Sequence, residues 1–505
     1  MRAWPVDSRP GSAERKYVVA SRPEANQLPR TELRAGALHL REVVMQGVTH
    51  IAPAIGVITS LAFIASVSGV TAPIAFVIGG VICLGIAVGL TQLAKQVNGA
   101  GGYFTYVSRI VNARAGFFTA WIYFLYDPLA LGMLLAWFGA TFENTTKAQY
   151  GWGLPWWAFF FIGLALLTFL TVRGIKISSQ TVVLLGLGEI AIFVVLAFFG
   201  LFNPGKGGVN LSPFNPGHSS SLSGLYLGVV FTILSFSGFE SVAPLAEETD
   251  KPRRNLPRAI LISVAVMIVF YIFVTWGLEI GWGTGNLHKF ISSPDPIFQL
   301  GRNLWGSAWV LVMLALFNSI MANCIATENA ATRVFFAMGR AGVLPRWLGK
   351  VHPKYKTPVN AILMQTAIAI VVGIGLSELI GPINIFYFIG VALTLGLIFV
   401  YSAGNFSVFW LYRRELRRQF NVAMHLLIPL ATTVALFWVG WKSIQGLNIT
   451  SPHTYLDWAP IMVFSWFIIG IVLVLILSRT GHEEWLTRAT RTLEEPTLAD
   501  EATHQ

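Results

Sequence analysis

The sequence predicts an all-α membrane protein of twelve transmembrane helices: an inverted repeat of five plus five helices, two accessory helices, and breaks in helices 1 and 6. Three observations carry this prediction. The 505 residues are 54% apolar and 12% charged, and apolar runs of ~18 or more residues recur along the whole chain, which no soluble core requires. Lys and Arg fall unevenly between alternate connections. Two apolar runs carry helix-breaking residues near mid-membrane.

Taken in order, the predicted spans are 43–66, 72–94, 116–141, 156–173, 180–202, 222–246, 258–280, 306–336, 359–380, 383–412, 422–441 and 457–478. Each is close to the ~20 residues a bilayer core demands. In the first, His50-Ile51-Ala52-Pro53-Ala54-Ile55-Gly56 sets a proline in mid-span, where it removes a backbone donor and biases Ala52 away from helical geometry. The third is interrupted at Tyr126-Asp127-Pro128-Leu129, and the fifth carries Glu189 among apolar neighbours. The sixth has its weak point at Ser237-Gly238, with Glu240 beside it and Pro244 farther on. Interruptions at matching places in spans 1 and 6 point to repeats at 42–202 and 222–412, with a site at their interface and accessory helices at 422–478. A single kink in one helix would need no such explanation, because Pro and Gly are common in membrane helices.

The connections set the orientation. One side holds 18 Lys and Arg, in clusters such as Lys251-Pro252-Arg253-Arg254 and Arg413-Arg414; the other holds five. The positive-inside rule then puts both termini in the cytoplasm of a multi-pass protein of the cell membrane. The same loops account for the net charge of +11. That charge faces anionic lipid headgroups, and no nucleic-acid partner is expected. Residues 1–41 and 481–505 read as disordered cytoplasmic tails, the first without the short apolar core of a signal peptide. Cys83 and Cys324 sit singly inside apolar spans and read as small buried hydrophobes, so neither a disulfide framework nor a metal site is expected.

The run Phe236-Ser237-Gly238-Phe239-Glu240-Ser241, followed by Ala246-Glu247-Glu248-Thr249-Asp250-Lys251-Pro252-Arg253-Arg254-Asn255-Leu256-Pro257-Arg258, resembles the sixth helix and following loop of the amino acid–polyamine–organocation (APC) superfamily. Gly101-Gly102-Tyr103-Phe104-Thr105-Tyr106 resembles that family's first cytoplasmic loop. Ala331-Thr332-Arg333 through Gly339-Arg340-Ala341-Gly342, with His352-Pro353 and Thr357-Pro358, resembles its eighth helix and the loop after it. The similarity runs from about residue 40 to 420. It implies inverted repeats, alternating access, and an amino acid, polyamine or related amine as substrate. The chain departs from the family where many members carry a Gly-Ser-Gly type sequence in the first helix; here the residues are Ala52-Pro53-Ala54-Ile55-Gly56.

Candidate residues follow from the breaks. A restarted helix presents unpaired N–H groups and the positive end of its dipole, so Ala54 to Val57 are candidate donors to a substrate carboxylate. The candidate substrate site is Ala52, Pro53, Ala54, Ile55, Gly56 and Val57 with Phe236, Ser237, Gly238, Phe239 and Glu240. Glu240 has two readings. It holds an ammonium group or a proton, or it bonds backbone N–H groups freed by the break. Coupling candidates are Glu189, Asp127 and His50. The resemblance implies that Glu189 occupies the region of helix 5 where some proton-coupled relatives place a titrating side chain. The alternatives are a structural pairing for Glu189, a local kink for Asp127 and a bond to unwound backbone for His50. Phe386-Tyr387-Phe388 and the phenylalanines at the break are candidate gates, or simply packing. Asn323, Thr327 and Asn329 offer polar contacts toward helix 1.

No nucleophile, metal-ligand or phosphate-loop pattern occurs at the spacing such chemistry requires, so neither an enzyme nor a cofactor is expected. A channel would share the polar breaks but would conduct passively. Together with the APC resemblance, which implies the substrate class, the sequence predicts a secondary active importer of an amino acid or related amine, coupled to protons. The alternatives left open are a polyamine or amino-alcohol permease and an amino acid exchanger.

Overall fold

The computed structural model describes residues 32–479 apart from 294, 446 and 448. Of the expected disordered tails at 1–41 and 481–505, residues 1–31 and the whole second tail lie outside the described residues, while 32–41 are described and lead into the first helix. Twelve helices long and apolar enough to cross a membrane occur among the described residues: Leu40–Ser68, Ala72–Ala94, Ala113–Ala148, Trp156–Arg173, Ile175–Phe202, Leu222–Glu248, Pro252–Trp282, Pro296–Arg340, Val359–Ile380, Asn384–Arg414, Ala423–Gln445 and Tyr455–Arg479. These are numbered spans 1 to 12. Each expected span has its counterpart; most ends run a few residues longer, because polar end-turns continue the helix beyond the apolar run.

Span 8 differs most from expectation. Its leading stretch is a separate helix, Pro296–Trp305, which turns at Gly306 (φ 57°) before Val310–Arg340 crosses. The left-handed turn needs the freedom that glycine has.

Neighbour relations carry the internal repeat. Under the exchange of spans 1–5 with 6–10, span 2 packs on span 7 and span 3 on span 8, each pair mapping onto itself. Span 5 packs on spans 7 and 8, while its counterpart, span 10, packs on spans 2 and 3. The fold is therefore the all-helical inverted repeat that the sequence predicts. Spans 11 and 12 lie against span 10 on the outside. Trp121 of span 3 and Trp466 of span 12 each donate an indole N–H to the other's backbone carbonyl at 2.8 Å, with their rings stacked 4.2 Å apart. That reciprocal pair satisfies both indoles where no water is available.

One end of the bundle, the end carrying the basic loops, is closed by polar contacts between spans 6 and 8. Arg333, fully buried, holds Glu248 through both carboxylate oxygens at 2.8 and 3.3 Å. Arg340 pairs with Glu247, which also accepts the Ala100 N–H at 3.1 Å. Residues just before span 1 join this closure. Leu38 donates to the Glu248 carbonyl at 3.0 Å and accepts from Asp250 N–H at 2.8 Å.

Candidate functional site

The breaks in spans 1 and 6 meet at the centre of the bundle. Span 1 is helical over Leu40–Ile51 and restarts at Pro53, so its break is the single residue Ala52, held at φ 58°. Left-handed backbone costs a non-glycine residue about 1 kcal/mol. Pro53 at the first position of the restarted helix loses no hydrogen bond there. Span 6 is helical over Leu222–Phe236, turns through Ser237 and Gly238, and restarts as a tight 3-10 helix over Phe239–Glu248. Gly238 has φ 123°, and a β-carbon on it would stand 2.6 Å from the His50 carbonyl carbon and 2.8 Å from the Ile51 nitrogen. Glycine is required twice over, by its backbone angle and by the contact between the breaks.

A broken membrane helix leaves N–H and C=O groups that water cannot satisfy. Four side chains bond them here. Glu189, from span 5, accepts the Ala54 N–H through Oε2 at 3.3 Å. Glu240 accepts the Gly238 N–H through Oε2 at 3.0 Å. The Tyr271 hydroxyl, from span 7, lies 3.1 Å from the Ser235 carbonyl and 3.4 Å from that of Ile51, reaching the end of both half-helices. Asn323 of span 8 donates to the His50 carbonyl at 3.0 Å. Gly56 makes room for Tyr271, whose hydroxyl would lie 2.0 Å from a β-carbon at that position.

Each of the two acids keeps one oxygen in reserve. Glu189 Oε1 is buried beside the Ser319 hydroxyl without completing a hydrogen bond. Glu240 Oε1 is likewise buried beside the Tyr401 hydroxyl.

His50 and Asp127 come together. His50 Nε2 lies 3.1 Å from Asp127 Oδ1, both side chains almost fully buried. Tyr123 donates to the other Asp127 oxygen. Thr327 sits 3.2 Å from the same histidine nitrogen, and Tyr126 stacks on the ring at 5.7 Å. Asp127 opens the second helix of span 3, which runs Asp127–Tyr150 after a break from Ala113–Tyr123. The expected interruption of span 3 is therefore a true break, and it delivers an acid to the histidine of span 1.

A cavity of about 110 Å³ opens beside the breaks, on the side away from the closed basic end. Among the sequence candidates, His50, Ala52, Ile55, Gly56 and Ser237 line it. Tyr126, Ser235, Asn323, Thr59 and a run of apolar side chains complete its wall. Pro53, Ala54 and Val57 stand behind that wall in the buried core. Phe236 packs edge-on to Phe76 and Tyr271, and Phe239 stacks on Tyr401. The phenylalanines that do face the cavity are Phe231 and Phe386, beside Tyr126. Glu240 lines a separate narrow crevice toward the basic end, with Gly101, Gly102, Tyr103, Tyr123 and Pro244. The breaks thus separate a wider space from a narrow one.

The model of the amino acid permease family matches residues 42–492. The chain belongs to that family. As an APC superfamily permease it is similar to the low-affinity putrescine importer PlaP of Escherichia coli K12, at 27% identity over 81% of this chain and 89% of the relative. The serine/threonine exchanger SteT of Bacillus subtilis is 26% identical over 72% of this chain and 81% of the relative. The branched-chain amino acid permease BcaP of the same organism is 26% identical over 80% and 85%. The permease is thus a multi-pass membrane protein of a transporter family whose members move amino acids or amines.

Sequence reasoning found both breaks; of the residues it grouped there as a substrate site, Ala52, Ile55, Gly56 and Ser237 line the cavity and the others do not. It missed Tyr271, Tyr126 and Tyr401, which are spread over three spans and look like ordinary packing aromatics. It also missed Glu328 and Glu279, buried acids outside the breaks. Gly56 was the available signal for Tyr271, since a glycine inside a helix often marks the close approach of a neighbour.

Proposed function

We propose that this permease is a secondary active importer of an amino acid or closely related amine, driven by protons and working by alternating access in the cell membrane. Both termini lie in the cytoplasm on this reading, as the 18-to-five asymmetry of basic residues supports. The cavity then faces outward, and the Arg333–Glu248 and Arg340–Glu247 pairs close the cytoplasmic end. Opening inward requires those pairs to part, together with the Leu38–Thr249 contact.

The observation that carries the coupling is the Glu189 carboxylate on the Ala54 N–H, at the start of a half-helix whose residues Ile55 and Gly56 line the cavity. A substrate carboxylate is drawn to the same positive helix end. Two ionised carboxylates on one helix terminus in a dry site repel each other strongly. Substrate therefore binds best when Glu189 has taken a proton from outside. Loss of that proton to the cytoplasm restores the Glu189 bond to Ala54 and disfavours the bound substrate. His50 and Asp127 form a second group able to hold a proton beside the cavity. Glu240 bonds its own helix end and stabilises the break. One charge moved through 100 mV supplies ~2.3 kcal/mol, a gradient of roughly 50-fold before any pH difference is added.

Uptake by purified protein in proteoliposomes, with proton and sodium gradients imposed separately, tests this reading. Uphill accumulation with the proton gradient supports it; accumulation indifferent to protons contradicts it. Strict one-for-one exchange would favour the second reading, an exchanger, which the likeness to SteT keeps in view.

A further inference from the structure

We infer that the substrate carries one ammonium group and an uncharged, apolar tail, so that diamines and cationic amino acids are excluded. This rests on the importer reading above and narrows its substrate. The cavity wall contains no Asp, Glu, Lys or Arg side chain among the described residues. Apart from Thr59, the wall away from the breaks is apolar, with Met133, Leu134, Phe231, Leu234, Phe386 and Leu393.

The breaks account for the other half of the ligand. The half-helices Leu40–Ile51 and Leu222–Phe236 both finish at the cavity, so the negative ends of two helix dipoles converge where an ammonium group can sit. None of the nearby acids lines the cavity, and Glu189 stands behind its wall on the Ala54 N–H. Asp127 is held by His50 and Tyr123, and Glu240 is bonded to Gly238 and lines the crevice on the far side of the break. A second ammonium group, three or four carbons from the first, would have to lie against that apolar wall with no anion to meet it. Burying an unpaired charge costs several kcal/mol. Size agrees: about 110 Å³ falls well short of the ~300–1,000 Å³ typical of sites for drug-sized ligands. On this charge pattern the permease does not take putrescine, the substrate named for the importer it is similar to.

The test is a competition panel on the full-length protein, read both as thermal stabilisation in detergent and as uptake in proteoliposomes. Alanine, valine, leucine and threonine are compared with lysine, arginine and putrescine. The best neutral amino acid is expected to act at concentrations at least tenfold below those of lysine or putrescine. Putrescine or lysine acting within threefold of the best neutral compound overturns the inference. Met133→Glu, with Leu134→Glu as the second variant, is expected to narrow the putrescine gap at least threefold. An unchanged gap in a variant that still takes up a neutral amino acid overturns the placement of the tail. Selective stabilisation without uphill uptake would retire the importer reading and leave the charge selection standing. Uphill uptake without discrimination would do the reverse.

Discussion

The breaks in spans 1 and 6 occupy equivalent places in the two repeats but are built differently. In span 6 the acid that bonds the exposed N–H is Glu240, two residues beyond Gly238 on the same chain segment. In span 1 the acid is Glu189, brought in from span 5 across 135 residues of sequence. A cap within the same segment travels with its helix whatever the helix does. A cap from another helix holds only while the two stay in register. Of two buried acids in similar chemical settings, Glu189 is thus the one whose bond can depend on conformational state, and Glu240 the one whose bond need not.

The largest effect expected from disturbing this contrast is at Gly238. Gly238→Val demands a forbidden backbone angle and pushes a side chain into the His50–Ile51 peptide. Strain and overpacking together should destabilise the protein by roughly 3 kcal/mol or more. The expected result is loss of monodisperse protein on size exclusion and loss of uptake. Normal expression and transport would mean that the breaks do not touch.

Glu240→Gln comes next. The amide oxygen can still accept the Gly238 N–H, but the bond loses its charge, which lowers stability by about 1 kcal/mol. Uptake per folded molecule should keep its dependence on the proton gradient. If that dependence disappears, Glu240 carries the proton and the contrast between the breaks is reversed.

The smallest effect is expected at Ala52, where Ala52→Gly relieves left-handed backbone and should stabilise the protein by about 0.5–1 kcal/mol. A thermal melt reads this directly. Destabilisation instead would mean that the Ala52 methyl group, which lies at the cavity wall, contributes more by packing than its backbone costs.

How much of this was legible in the sequence follows from how far apart the partners lie. The spans were readable because a bilayer imposes length and apolarity on every crossing helix, and the twelve expected segments match the twelve observed. The breaks were readable because Pro53 and Gly238 act on their own backbone. Asp127-Pro128 announced the break in span 3 for the same local reason. What satisfies those breaks was not readable. The bonds from Glu189, Tyr271 and Asn323 cross large sequence separations and are decided by packing of the repeats, as is the buried pairing of Arg333 with Glu248. His50 and Asp127 were each singled out as intramembrane titratable groups, but nothing in the chain said that they face one another. The candidate gate at Phe236 shows the opposite difficulty. Its position beside the break was evident, yet its ring turns to Phe76 and Tyr271, a choice that depends on neighbours in spans 2 and 7.

The most direct test of coupling is Glu189→Gln reconstituted in proteoliposomes, with accumulation under an inward proton gradient measured beside counterflow against trapped substrate. If Glu189 carries the coupled proton, accumulation falls to the equilibrium level while counterflow remains measurable. Uphill accumulation at the wild-type ratio in Glu189→Gln would contradict it.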